Sequence, residues 1–222
     1  MEEPGIRLAE QLRDCGAAPA PVDPRLPSIY QDLECVLFDE GAIRKKVREL
    51  GRQITRDYRG ERLFLVSVLK GSVVFLADIV REVEMPVEFG FIRISTYEGG
   101  TSPCREPFLE GRTIPEVRDK QVLLVEDILD TGSTIAFAKR RLKENGAAGV
   151  KTCVLLAKEG YAAASLAVPD YLGFRIPRVF VVGYGLDFRE KYRNLKCIGV
   201  LKPDLCELEN GREENREGKE SN

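Results

Sequence analysis

Three short runs, LFLVSVL at 63–69, VLLVEDI at 122–128 and KTCVLLA at 151–157, are dominated by branched and large apolar residues with almost no polar interruption. Runs of this length are too short for buried helices and read as strands covered on both faces. Between and before them the period changes. Ile43, Val47, Leu50, Ile54 and Tyr58 recur every three or four residues from Asp39 to Gly60, the signature of an amphipathic helix with a glycine stop. Val73, Leu76, Ala77 and Val80 make a second such stripe, with Ser72 placed as its N-cap. Ile135, Ala138 and Leu142 make a third, over 134–145, ended by Asn145-Gly146. VEFGFIRIS at 87–95 reads as a further strand. Strands alternating with helices predict an α/β fold, a mainly parallel sheet with helices on both faces.

The remaining segments are less periodic. Residues 97–116, YEGGTSPCREPFLEGRTIPE, are rich in glycine and proline and are expected to form a long mobile loop. The stretch YLGFRIPRVFVVGYGLDFREKYRNLKCIGVLKP is expected to form a small flap or hood beside the sheet. Residues 1–33, with the proline- and alanine-rich AAPAPVDPRLP, are expected to be a flexible leader. The polar tail at 207–222 is expected to be disordered. One main domain, 34–206, remains, with the hood drawn from its N-terminal part and from about 160–206.

Composition removes whole classes of chemistry. The chain has 222 residues and no histidine, which excludes His-dependent triads and leaves acid–base work to Asp, Glu, Lys or Tyr. Its 34 Lys and Arg nearly balance 36 Asp and Glu, a net charge of -2, with no basic run that would mark a nucleic-acid partner. No apolar segment is long enough to span a bilayer, and the N-terminus has no secretory h-region, so a cytoplasmic protein without a membrane partner is expected. Cysteines 15, 35, 104, 153, 197 and 206 show no metal-ligand spacing and are expected to be reduced thiols.

The segment VLLVEDILDTGST, 122–134, sets Glu126 and Asp127 at the carboxyl end of a buried strand, Asp130 in the turn after it, and Thr131, Gly132, Ser133 and Thr134 where the next helix begins. Unpaired amides and the helix dipole favour an anion at such a start, hydroxyls add donors, and Gly132 permits close approach. Two acids a sugar's length upstream suit ribose hydroxyls and an indirectly held Mg²⁺. A phosphorylated ribose fits this arrangement. The P-loop pattern is absent, and GYGLDF at 183–188 lacks the third glycine of the dinucleotide fingerprint.

The same segment closely resembles the phosphoribosyl pyrophosphate motif of type I phosphoribosyltransferases, and 34–203 as a whole resembles the hypoxanthine-guanine branch of that family. Further motifs carry the resemblance. VLKGS at 68–72 is similar to the family's pyrophosphate loop, implying that Leu69, Lys70 and Gly71 bind phosphoribosyl pyrophosphate and that the Leu69–Lys70 bond can be cis. ISTYEGG at 94–100 is similar to the start of a mobile lid, with Thr96 in place of the usual serine before Tyr97. LLAKEG places Lys158 where the family lysine donates to the exocyclic oxygen of a 6-oxopurine, which disfavours adenine. In RVFVVGYGLDFREKYRN, the resemblance implies that Phe180 stacks on the purine, Val181 offers backbone groups to its edge, Asp187 assists a second Mg²⁺ and Arg193 faces pyrophosphate.

The activity so implied is purine salvage: Mg²⁺-dependent transfer of 5-phosphoribosyl to N9 of hypoxanthine or guanine, giving IMP or GMP and pyrophosphate. Asp130 is the implied catalytic group near N7, Glu126 and Asp127 hold the ribose and metal, and a homodimer or homotetramer is the implied assembly. A xanthine-preferring enzyme is the nearest alternative, because the 2-position is read by backbone groups. A non-catalytic nucleotide sensor on the same fold is the more distant one.

Overall fold

The structure, a computed structural model, describes residues 19–97, 103–111, 114–159 and 168–205. Residues 1–18 of the expected leader, 98–102 and 112–113 of the expected loop, 160–167, and the expected tail lie outside the described residues. The chain divides into a unit of Gly41–Arg178 and a unit made from both ends, Met1–Glu40 with Val179–Asn222.

The larger unit is built on a six-stranded sheet of order β4-β3-β2-β5-β6-β7. Its strands are β2 (Leu63–Leu69), β3 (Glu88–Tyr97), β4 (Pro103–Leu109), β5 (Gln121–Leu129), β6 (Gly149–Lys158) and β7 (Tyr171–Ile176). Every neighbouring pair runs parallel except β3 with β4, which is antiparallel. The central strands are buried as their unbroken apolar runs require: Val122 to Val125 are all 0% exposed.

Alternation along these strands sends side chains to two faces. Phe64, Val66, Val68, Val122, Leu124 and Val154 meet Ile135, Ala138 and Leu142 of helix α4 (Ser133–Glu144) in one core. Leu65, Leu123 and Leu155 point the other way and are equally buried. The remaining long helices are α2 (Glu40–Asp57), which buries Ile43, Val47, Leu50 and Ile54, and α3 (Val73–Glu82), which contacts β2 and β5. All three expected helices form within a residue or two of the predicted limits. At about 25 cal/mol per Å² of apolar surface, each fully buried leucine or isoleucine in these layers contributes roughly 1.5–3 kcal/mol before conformational entropy is set against it.

Two expectations give way. The segment read as an unstructured loop contains β4, which pairs with β3 through Ile94 with Leu109 and Ser95 with Phe108. YLGFRI, read as part of the flap, is instead the edge strand β7, in parallel register with β6 from Cys153–Tyr171 to Lys158–Ile176. The second segment of the smaller unit therefore starts at Val179.

In that smaller unit β1 (Leu33–Phe38), β9 (Ile198–Leu201) and β8 (Val181–Val182) form an antiparallel sheet of order β1-β9-β8. Residues 19–32 have contacts of their own. Ala20 bridges to Val36, the single-turn helix α1 spans Ser28–Gln31, and Val22, Ile29 and Tyr30 pack on a core of Leu33, Val182, Leu195, Cys197 and Leu201.

Candidate active site

In an open α/β sheet the ligand crevice lies at the carboxyl ends of the strands, where the order of succession reverses. Here the chain steps from β2 outward to β3, then returns to the other side of β2 with β5. The switch point is therefore between β2 and β5. Their carboxyl ends carry Leu69-Lys70-Gly71 and Glu126 to Asp130, and β6, next to β5, ends in Lys158. Three motifs far apart in sequence thus share one edge of the sheet.

The two loops touch. A Cβ built on Gly71 would lie 1.8 Å from Oδ2 of Asp127, so only glycine leaves that carboxylate its place. Asp127 Oδ1 accepts the amide of Ile128 at 2.9 Å. The Leu69–Lys70 bond is cis, the geometry implied for the family loop. Ser72 stands at the N-cap position of α3 but its side chain caps nothing. Its hydroxyl turns back to the Val68 carbonyl and to Ser67, which corrects the capping role expected of it.

Glu126 is buried, and its Oε2 has no hydrogen-bond partner among the described residues. Burial, and then the neighbouring Asp127 carboxylate, push Glu126 well above the usual carboxylate range. A buried oxygen left unsatisfied is costly in an apolar setting and marks a place where a hydroxyl or cation is awaited.

Beyond β5 the chain turns through Asp130 and Thr131 to Gly132, which has φ +81° and precedes α4. The Thr131 and Ser133 hydroxyls are hydrogen bonded at 2.9 Å, and Thr131 Oγ1 accepts the Ser133 amide at 3.4 Å. Neither hydroxyl serves as a side-chain N-cap for α4, whose N-cap is Gly132. Thr134 lies in the first turn. Asp130 is half exposed, and its Oδ2 accepts Lys158 Nζ at 2.8 Å. Thr96 and Tyr97 are the last two residues of β3.

The smaller unit holds the other predicted residues. Phe180 is 50% exposed and meets Phe188 edge-on, ring centroids 5.7 Å apart. Val181 opens β8 and is buried. Asp187 Oδ1 pairs with Arg193 Nη2 at 2.7 Å, and Asp187 Oδ2 accepts the Glu190 amide at 2.9 Å. Arg193 also reaches Glu190 Oε1 at 3.0 Å and donates to the Gly185 carbonyl at 2.8 Å, while its Nε is buried without a partner among the described residues. Sequence reasoning missed Glu190, three residues before Arg193, and it missed the Ser67–Ser72 pair. A serine inside an apolar strand was the only signal for the latter.

Three acids and two lysines gathered at a switch point, beside a hydroxyl-rich helix start, can hold an anionic sugar and move a proton. Comparison with known proteins agrees. Residues 36–189 match the phosphoribosyl transferase domain family. The chain is 40% identical over 177 residues to the hypoxanthine-guanine phosphoribosyltransferase of Streptococcus pneumoniae, covering 80% of this chain and 98% of that protein. It is 38% identical over 179 residues to the bifunctional protein TilS/HprT of Listeria innocua, of which it spans 27%. The crystal structure of a hypoxanthine phosphoribosyltransferase from Staphylococcus aureus is similar with a TM-score of 0.76 at 37% identity, covering 82% of this chain and 98% of that one.

Proposed function

The chain belongs to the phosphoribosyltransferase family, and on that premise we propose that it transfers the 5-phosphoribosyl group of phosphoribosyl pyrophosphate to N9 of hypoxanthine or guanine. The C1'–O bond to pyrophosphate breaks and the N9–C1' bond forms, through a transition state with positive charge on the sugar. The observation that carries this reading is the meeting of the Lys70–Gly71 loop with the Glu126–Asp127 pair at the switch point, Gly71 making room for Asp127.

Each residue then has a task. Thr131, Gly132, Ser133 and Thr134 hold the 5'-phosphate with hydroxyls and amides. Glu126 and Asp127 accept the ribose hydroxyls. Lys70 and Arg193 stabilise the departing pyrophosphate, whose charge grows in the transition state. Lys158 donates to the C6 oxygen of the base, Phe180 stacks on its ring, and Val181 offers backbone groups to its edge. Asp130, beside N7, accepts the proton that the base gives up as N9 bonds to the sugar.

The donors suit Mg²⁺. Among the described residues no three Cys, Asp or Glu side chains cluster as a complete cage, and Mg²⁺ is usually held by one or two carboxylates with water and substrate phosphates completing its shell. Glu126, with its unpartnered buried oxygen, and Asp127 are the oxygen donors that would hold it, and Asp187 would assist a second ion. When bound, the ion neutralises charge on the pyrophosphate. Thr96 and Tyr97 begin the lid in this reading, and the working enzyme is a cytoplasmic homodimer or homotetramer. Among the described residues no helix is long and apolar enough to cross a membrane.

Purified protein given phosphoribosyl pyrophosphate and Mg²⁺ with hypoxanthine, guanine, xanthine or adenine tests the reading by pyrophosphate release. Release with hypoxanthine and guanine is expected. Release confined to xanthine reassigns the base, and none with any base removes the activity.

A further inference from the structure

Two buried serines lie behind the Lys70 loop and take no part in the reaction described above. We propose that Ser67 and Ser72 form a hydroxyl relay that holds Leu69–Gly71 in the shape that receives the diphosphate group. The proposal rests on the reading of Lys70 and Gly71 as diphosphate-binding residues and adds two positioning residues to it.

Ser67 lies in the middle of the sheet, in register with Phe91 of β3 on one side and Val125 of β5 on the other. Ser72 lies at the start of α3, and both serines are 0% exposed. Ser72 Oγ donates to the Val68 carbonyl at 2.5 Å, and the two hydroxyl oxygens are 2.6 Å apart. A serine has one proton to give. With that of Ser72 committed to Val68, the proton between the hydroxyls is Ser67's, and the relay runs from Ser67 to Ser72 to Val68.

This relay ties the end of β2 to the beginning of α3 across the three residues of the loop. The Val73 amide donates to the Lys70 carbonyl at 3.2 Å, a second tie across the same turn. Asp127 occupies the space beside Gly71 on the remaining side. The loop is therefore fixed from within by the serines and from without by β5. Ser72 also forgoes the side-chain cap that its position invites, so the first-turn amides of α3 are not given to it. A hydroxyl present only to fill space in this apolar setting would cost free energy. Its orientation toward the loop gives it a reason to be there.

The measurement is steady-state kinetics of Ser67→Ala, Ser72→Ala and the double variant, with pyrophosphate as a product inhibitor and melting temperature in parallel. Loss of the relay is expected to raise both the KM for phosphoribosyl pyrophosphate and the pyrophosphate inhibition constant about tenfold, the size of one hydrogen bond's effect on an equilibrium. The KM for hypoxanthine is expected to stay within about twofold, since Lys158 and Phe180 are untouched. The double variant should be no worse than Ser72→Ala alone, because the two hydroxyls act as one unit. Ser67→Cys, which adds a little volume but keeps a weak donor, should recover part of the loss. Variants that melt earlier but keep both pyrophosphate-linked constants overturn the relay. If Ser72→Ala does not fold, the inhibition constant of Ser67→Ala decides alone. Wild-type protein that neither turns over phosphoribosyl pyrophosphate nor binds pyrophosphate overturns the underlying reading of the loop, whereas variants equal to an active wild type overturn only the relay.

Discussion

Lys158 and Asp130, 28 residues apart in the chain, are joined by a 2.8 Å ion pair between the end of β6 and the turn after β5. The groups assigned to the C6 oxygen and to N7 of one purine are thus already partners. Asp130 can keep its orientation while its charge is removed. Asp130→Asn is therefore expected to lower kcat by about a hundredfold or more, the range of a general acid–base group, with KM for both substrates changed only a fewfold. Steady-state kinetics with hypoxanthine checks it, and unchanged turnover would take Asp130 out of the mechanism.

Lys158 has the complementary prediction. An ammonium at this position offers donors to an oxo group and none of the acceptors an exocyclic amine needs. Lys158→Met should raise KM for hypoxanthine and guanine about tenfold, the scale of one lost hydrogen bond to a charged group. It should also narrow the margin against adenine. A variant as selective as the wild type would show that another residue reads the 6-position.

Gly71 and Asp127 must act together, because a methyl group on Gly71 would occupy the place of Asp127 Oδ2. Asp127 would have to shift, and its other oxygen is bonded to the Ile128 amide. Gly71→Ala and Asp127→Asn should both raise the concentration of phosphoribosyl pyrophosphate needed for half-maximal rate, with hypoxanthine KM little altered. Combining them should give less than the product of the single effects, the mark of residues in contact. Strict multiplicativity would argue that they serve separate ligands.

Glu126 gives a pH-dependent signature. Burial first, and Asp127 second, hold its carboxyl well above the ordinary range. A carboxyl that binds its proton more tightly when folded favours folding fully below the unfolded value of about 4.3, and that contribution is lost as pH rises through the raised value. Glu126→Gln keeps the shape of the protonated acid without the ionisation. Melting curves should nearly coincide around pH 4, and the variant should become the more stable protein as pH climbs toward 8. A gap that does not vary with pH would mean that Glu126 ionises as freely in the fold as outside it.

The central strands were legible because their apolar runs stop abruptly at functional residues: LFLVSVL at Lys70, VLLV at Glu126, and TCVLLA at Lys158. Helices α2 and α4 were legible from stripes closed by glycines that do adopt positive φ, Gly60 and Gly146. The two misread strands are both edges of the sheet. An edge has one free side, tolerates proline and carries more polar residues, so Pro103–Leu109 looked like loop, while Tyr171–Ile176 was read with the short strands and turns that follow it as flap. The acids at the end of β5 and in the turn after it could be found in sequence, but their inequality could not. That Glu126 is sealed in while Asp130 lies half open against Lys158 depends on neighbours supplied by other strands. The Ser67–Ser72 relay was hidden for the same reason, since a hydroxyl within an apolar run looks like an interruption until its partner is seen.

The pairing of Leu33 with Leu201 has a consequence for biosynthesis. A ribosome releases β1 well before β9, so β1 waits for its neighbour on the order of ten seconds at about 5–20 residues per second. All six strands of the larger sheet emerge during that interval. The nascent protein can therefore assemble the layer that carries Lys70, Glu126 and Lys158 while the strand leading into it still lacks its mate, and a chaperone that shields exposed strand edges would find its target at β1.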